Sequence, residues 1–514
     1  MSFRSAAHAM PLLETLYLQN SVLEGADLLP GFSPADTVRS NGQGVVHAAP
    51  NGDFLGRVRT NPSQGATSSA AGVYYLFGSV GGADPVAVRR EAMVAGIDQQ
   101  SLNSPHVDFA GDVAYTALKD NNGLAGSGIS GIWVNDTPIW YDEDMIPNGP
   151  LAGSFYGGPG GLHRSPLGVT SWVTSYTATA GGSAIGSALM QGTATNSVLL
   201  QSGDAIASLG TIAAESGAVS GNIEWSQLGT NYFTEVDLEL GFTSTDEAPV
   251  LNGNAIFTAS GAVIREGETI PVADGGTVGE IWESFFQWDV NEAGDYLFGA
   301  FTSDPSNDDV VVLNGEIIYR EGQMLDGVLL SGQPQGMAIN DLGDIAIAWN
   351  DTLFINDQKI AGPGDLNMVD TDGDGVGDSA IDGTGLSLNN IEITNLPATG
   401  GDGFPVVYVG GEASGGRDTM LRLIPAAPLD GDYNGDGTVD AADYTVWRDT
   451  LGSQFLLAAD GDGDNIVDQD DYTVWANNFG STLSPSVTVP EPSALVVVLC
   501  GSLLLTTVRQ STVR

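Results

Sequence analysis

The chain has 514 residues, with 64 Asp or Glu against 16 Lys or Arg and a formal net charge of −48. So acidic a surface repels phosphate backbones and excludes nucleic acid as a partner, while it suits a salty exterior where screening weakens self-repulsion. The single cysteine, Cys500, excludes a disulfide framework, a CxxC zinc site and, once the tail is processed, a cysteine nucleophile.

The N-terminal stretch MSFRSAAHAMPLLETLYLQ carries Arg4 but no continuous apolar run of the kind an export leader needs. Because the C-terminus points to export (below), a hydrophobic leader is expected upstream of Met1. From about residue 15 to 427 the chain is rich in Gly, Val, Ile, Thr and aromatics. Short alternating runs such as Val310–Leu313 and Ile345–Trp349 are separated by Gly, Asn and Asp, the strand-and-turn pattern of an all-β protein.

Two motifs recur in this region. The first is an apolar pair, a polar pair, Gly and an apolar finish: VLEGADLLP (22–30), VLLQSGDAI (198–206), VIREGETIP (263–271) and IIYREGQML (317–325). Weaker copies are VRREAMVAG (88–96), IWYDEDMIP (139–147) and QKIAGPGDL (358–366). The second has the form N-x-x-G-x-x-x-apolar, from Asn291 to Phe298 and from Asn340 to Ile347, with looser copies at 47–56 and 107–117. Between them lie hairpin tips with Asn-Gly or Asn-Asp: Asn135-Asp136, Asn252-Gly253 and Asn314-Gly315.

About seven repeats of three or four short strands predict a β-propeller-like domain over 15–427, with a solenoid as the second choice. Thr419–Ile424 is the natural strand to close the ring against the N-terminal strands. The repeats resemble those of bacterial anchored proteins with tandem NxxGxxxF motifs.

An acidic loop interrupts the last repeat. Asp370, Asp372, Asp374 and Asp378 carry a DxDxDG core similar to extracellular calcium loops.

Residues 428–482 contain two matching twelve-residue loops, DYNGDGTVDAAD (432–443) and DGDGDNIVDQDD (460–471). Calcium takes six to eight hard oxygen ligands, and alternate residues of a tight loop point at one centre. The side-chain candidates are Asp432, Asn434, Asp436, Asp440 and Asp443, then Asp460, Asp462, Asp464, Asp468 and Asp471. The carbonyls of Thr438 and Ile466 fill position 7. Tyr444–Trp447 and Tyr472–Trp475 repeat one aromatic helix start after each loop.

This duplication resembles a type I dockerin. The resemblance implies a small α-helical domain with two EF-hand-like loop–helix units, Ca²⁺ as cofactor and a cohesin-like protein as partner. Loop positions 10 and 11, which in dockerins often read the cohesin, differ here between the copies: Ala441 and Ala442, then Gln469 and Asp470.

The tail, 483–514, holds Pro490, Glu491 and Pro492, then an apolar run from Ala494 to Val508 and the basic Arg509 and Arg514. It resembles a PEP-CTERM sorting signal. That implies an exosortase-type processing enzyme, a C-terminal hydrophobic helix and a chain delivered to the cell surface or exterior. An ordinary C-terminal membrane anchor is the alternative.

No GxSxG elbow, HExxH, P-loop or GxGxxG is present, and His8, His47, His106 and His163 are scattered. Glu24, Glu91, Glu143, Glu266 and Glu321 fall at one place in successive repeats, which reads as structural, since a catalytic carboxylate should break a repeat. Trp133, Trp140, Trp172, Trp225, Trp282 and Trp288 read as packing between repeats, with a sugar-binding face as the alternative.

Two functions remain, and the missing catalytic signature favours the first. One is a non-enzymatic surface or matrix protein with a β-repeat recognition domain and a calcium-dependent docking module. The alternative is a carbohydrate-active propeller, a glycoside hydrolase or lectin, for polysaccharide degradation. The membrane enters either reading only through the tail.

Overall fold

The computed structural model describes strands between residues 12 and 105, most of 106–239, 246–363, 365, 369–370, 391–395, 405–413 and 417–424, and in the C-terminal region 431–433, 438–452, 459, 461 and 466–481. The chain divides into a β unit, Pro11–Thr399 with Gly403–Pro425, and a second unit comprising Met1–Met10, Gly400–Asp402 and Ala426–Arg514.

The protein is mainly β. Among the described residues there are two α-helices, one 3-10 turn at Val272–Asp274, and seven sheets of four or five strands, antiparallel except where Leu12–Leu18 pairs parallel with Val369–Asp370. The strands that link neighbouring sheets, called first strands below, are in chain order Val46–Ala48, Ile97–Val107, Phe155–Arg164, Val219–Trp225, Trp282–Val290, Gly336–Ile339 and Ile391–Ile393. The fifth sheet is typical: Trp282–Val290, Tyr296–Thr302, Asp309–Leu313 and Glu316–Arg320 pair in sequence order. Each first strand packs on the first strand of the next sheet, and Ile391–Ile393 returns to Val46–Ala48. The series is therefore closed.

The seventh sheet is completed by the chain's own beginning. Leu12–Leu18 pairs antiparallel with Arg417–Ile424, from Leu12 opposite Ile424 to Leu18 opposite Thr419. Thr419–Ile424 thus lies against an N-terminal strand, where the sequence put it.

Apolar seams join the sheets. Second strands such as Tyr296–Thr302 are buried on both faces, which is why they read as continuous apolar runs. Fourth strands such as Glu316–Arg320 are only partly buried and keep their polar residues. Phe233 of the fourth sheet packs with Trp282, Phe298 and Val310 of the fifth. Leu297 and Val311 pack with Ile347, Trp349 and Phe354 of the sixth. Ala346 and Leu353 pack with Val407 and Leu421 of the seventh. Phe54 of the first meets Tyr408 of the seventh, with ring centroids 4.8 Å apart. Full burial of each such large side chain contributes roughly 1.5–3 kcal/mol.

Polar side chains stitch the same seams. Asn291 Nδ2 donates to the Asn340 carbonyl at 3.1 Å, and Asn340 Nδ2 donates to the Thr394 carbonyl at 3.1 Å, one sheet further on. The Oδ1 of each accepts the N–H of Asp295 or Asp344 and shapes the local turn. The second sequence motif is therefore a turn and a cross-link in one. At the hairpin tips Asn135, Asn252, Asn314 and Asn356 take φ between 48° and 52°, a left-handed conformation that Asn tolerates. Their Oδ1 atoms accept the N–H that opens the second strand, from Val113, Tyr232, Tyr296 and Ile345.

The first motif marks the turn after the fourth strand of a sheet. Gly203, Gly267 and Gly322 sit there at φ 88°, 79° and 80°, and Glu143 at 71°. Glu266 and Glu321 lie beside these turns; Glu24 and Glu91 are outside the described residues.

In the second unit, α1 is Ala441–Thr450 and α2 is Gln469–Asn478. No helix among the described residues is long and apolar enough to cross a membrane. The expected hydrophobic helix over 494–508, and the motif residues Pro490, Glu491 and Pro492, lie outside the described residues.

Candidate functional site

A cavity of about 640 Å³ opens where the first strands converge, and all seven contribute to its wall. Its chemistry comes from one repeated position. In six sheets, a residue just past the first strand or at its end donates its backbone N–H across the turn: Asp108, Ser165, Ser226, Asn291, Asn340 and Thr394. Two residues earlier stand His106, His163, Glu224, Asp289, Ala338 and Glu392. All of these except Ala338 line the cavity. Side chains of a strand alternate, so a fixed offset from a fixed turn keeps them on one face.

Three carboxyls dominate. Asp289 accepts N–H bonds from Val290 and Ile339, both at 2.7 Å, the second from the neighbouring sheet. Burial pushes its pKa up to about 7, against the lowering effect of those two bonds, and Asp341 adds to the rise. Glu224 is pushed up to about 8 by burial and then by Asp289. Its side chain is exposed, but to the cavity; it lies deep among protein atoms, and that depth is the source of the desolvation. Glu392 is raised well above the usual carboxylate range by burial, then by Glu224 and Asp289, with a lowering bond from the Ala48 backbone. These three groups, from three sheets, therefore sense one another's charge.

A fourth carboxyl in the wall, Glu235, is raised by burial and by Glu247. Aromatic surface flanks the acids. Trp225 stacks on His163 with centroids 5.1 Å apart, and His163 meets His106 edge-on at 5.3 Å. Phe285, Phe286 and Trp288 complete that side. No Lys or Arg occurs among the described lining residues.

The sequence reading did not single out this group. The histidines at 106 and 163 are far apart in sequence, yet adjacent sheets bring them together. The cavity's members come from different repeats, so no linear motif marks them. The available signal was the short pattern apolar-acid-apolar before the turn: Ile223-Glu224-Trp225, Trp288-Asp289-Val290 and Ile391-Glu392-Ile393. Trp133, Trp140, Trp172 and Trp282 are buried packing residues, as expected, whereas Trp225 and Trp288 also border the cavity.

The second unit brings part of each predicted calcium loop into view. Asp432, Thr438, Asp440, Asp443, Ile466, Asp468 and Asp471 are described; Asn434, Asp436, Asp460, Asp462 and Asp464 are not. Asp440 and Asp468 cap their helices, and Asp443 and Asp471 close each capping box by accepting the Asp440 and Asp468 N–H at 2.7 and 2.6 Å. Asp443 and Asp471 are fully buried.

The two halves interlock reciprocally. Trp447 Nε1 of α1 donates to the Asp468 carbonyl at 2.6 Å, and Trp475 Nε1 of α2 donates to the Asp440 carbonyl at 2.8 Å. Val439 bonds with Gly480 and Ser481 beyond α2, while Val467 accepts from Gly452 beyond α1. Of the acidic loop near 370, Asp370 ends a two-residue strand paired with Glu14; Asp372, Asp374 and Asp378 lie outside the described residues.

No family model matches the chain, and no curated protein matches it in sequence. Among solved structures it is similar to an α-L-arabinanase of Penicillium chrysogenum, at 11% identity over 83% of this chain and 100% of that one, with a TM-score of 0.31. It is also similar to the α-L-arabinofuranosidase Arb93A of Fusarium graminearum, at 9% identity over 82% and 98%, with a TM-score of 0.31. The polysaccharide lyase Uly1 matches at 12% identity over 82% and 99%, with a TM-score of 0.37. Likeness at these scores leaves the function to this chain's own geometry.

Proposed function

We propose that the β unit is a seven-bladed propeller that hydrolyses a neutral polysaccharide in its axial cavity. The observation that carries this reading is the trio Glu224, Asp289 and Glu392, drawn from three sheets into one aromatic-walled cavity. Glycoside hydrolysis asks for two carboxyls in opposite protonation states on either side of the scissile bond. Asp289 is the member held ionised most readily, because two backbone N–H groups support its charge. It serves as base or nucleophile. Glu224 stays protonated to a higher pH and donates to the leaving oxygen. Trp225 and Trp288 offer apolar faces to a sugar ring.

The same wall argues against a polyuronate. Carboxylates without Lys or Arg among the described lining would repel an acidic glycan. A propeller is supported by the closed series of seven sheets and the shared last sheet. The non-enzymatic alternative would use the same cavity to bind glycan without turnover.

The second unit is read here as a dockerin-type calcium module. Its support is the duplicated capping box, the reciprocal indole bonds and the matching place of Asp443 and Asp471 at loop position 12. Ala441, Ala442, Gln469 and Asp470 are exposed at the two helix starts, and their mismatch supports one docking face for a cohesin-like partner rather than two equivalent ones. Export, and processing of the tail by an exosortase-type enzyme, complete the proposal.

The test is reducing-sugar release from arabinan, xylan and β-glucan, with pectate as the acidic control. Release from a neutral glycan should fall roughly 10²–10⁴-fold in Asp289→Asn and in Glu224→Gln. Activity should rise through pH 7 as Asp289 ionises and fall through pH 8 as Glu224 loses its proton. Release untouched by both substitutions, or unsaturated products from pectate alone, would overturn the assignment. Glycan binding without product would return the cavity to recognition.

A further inference from the structure

A second acidic cluster lies in the fifth sheet. Asp308, Asp309 and Glu321 each offer a carboxylate oxygen, and these oxygens lie within 4.8 Å of one another. Sheet pairing creates the cluster. Val310 is opposite Arg320, so the next residues out, Asp309 and Glu321, face each other at the ladder's end, where Glu321 N donates to the Asp309 carbonyl at 2.8 Å. Like charges directly opposite in a ladder are destabilising.

Among the described residues no Lys or Arg forms an ion pair with them. The adjacent cation, Arg320, is taken by Glu280, at 2.7 and 3.2 Å, and by the carbonyls of Asn307 and Gly275. A second observation is independent of the clustering. Asp309 is only 5% exposed, and its buried Oδ1 has no hydrogen-bond partner. A buried carboxylate oxygen left without any donor is costly, and native folds rarely tolerate it. Glu321 is oriented by the N–H of Gly332, which donates to its Oε1 at 2.8 Å and leaves Oε2 for another contact.

We propose that Asp308, Asp309 and Glu321 form a structural site for a hard divalent cation of the calcium class, which closes the outer end of the fifth sheet. Oxygen-only donors, two from the entry of one strand and one from the turn just past the facing strand, suit such an ion. The site lies outside the axial cavity's lining and is separate from the duplicated loops of the second unit.

The experiment is calcium titration by calorimetry on the full chain, comparing the native protein with Asp309→Asn and Glu321→Gln. Both substitutions keep shape and an acceptor oxygen. Each folded variant should bind one calcium fewer than the native chain. In excess chelator, Asp309→Asn should melt no lower than the native protein, since it removes one of the repelling charges. In calcium the order should reverse. Equal stoichiometry in the native chain and in whichever variants fold would overturn the site, whatever the second unit binds.

Discussion

The β unit and the second unit are both built from repeats, and they close those repeats in different ways. In the β unit closure is made by distant chain segments: Leu12–Leu18 completes the sheet that ends at Ile424, and apolar seams run from sheet to sheet. In the second unit it is made by exchange, each helix's indole bonding the cap residue of the other half. Apolar support differs in scale. The second unit buries Tyr433, Trp447, Ala459 and Val467, with Tyr444, Val446, Tyr472 and Trp475 packed around them. So small a core supplies little stability by itself. The use of acid differs too. In the β unit, carboxylates such as Asp289 and Asp341 mainly accept backbone N–H groups. In the second unit, the described acids cap the helices: Asp440 and Asp468 as N-caps, Asp443 and Asp471 as their capping-box partners.

The comparison can be broken most severely at the ring's closure. Deleting residues 419–424 should leave the edge of Leu12–Leu18 unpaired and abolish the folded monomer, read as aggregation in size-exclusion chromatography. A well-behaved monomer would show that closure is dispensable.

Removing calcium should separate the units. In excess chelator, or in Asp443→Ala or Asp471→Ala, hydrogen exchange over 438–481 should lose its protection. The β unit's sheets should keep theirs, apart from the hairpin end near Asp309. Helices that stay protected in chelator would mean that the aromatic core alone suffices.

A smaller loss is expected for Asn340→Ala. That side chain donates to Asp344 and Thr394 and accepts from Leu342 and Asp344. Its removal should cost about 2–4 kcal/mol by denaturant unfolding of the β unit, from several lost bonds near 1 kcal/mol each. A cost below 1 kcal/mol would reduce the asparagine chain to decoration.

The smallest effect is Trp447→Phe, which keeps the ring but loses the donor to Asp468. About 1 kcal/mol should be lost from the second unit, and the two calcium steps should become less coupled in calorimetry. Unchanged coupling would place communication between the halves elsewhere.

Much of this architecture was legible because each repeat spells its own turns. Asn at a left-handed tip and Gly after a fourth strand leave marks that a single strand pair already requires. The duplicated loops were legible for the same reason: the cap and the N3 acid of each helix lie within one short run. The cavity was not. Glu224, Asp289 and Glu392 each sit in an unremarkable apolar-acid-apolar triplet, and only ring closure makes neighbours of residues from different repeats. The carboxylates weighed in the sequence were the turn glutamates, which repeat, and not those of the first strands, which vary. There one register position reads His, His, Glu, Asp, Ala and Glu around the axis.

The pairing of Leu12 with Ile424 also sets an order in time. The first strand to be made is the last to find its place, because its partner is among the last segments of the β unit to appear. Until then the seventh sheet lacks an outer strand and Phe54 lacks Tyr408. The entropy of joining ends so far apart grows only slowly with the intervening length, but the search is non-local, and non-local pairing slows folding. A chain that begins to fold before it is fully delivered would leave a free sheet edge at that seam, the place where misassembly is expected first.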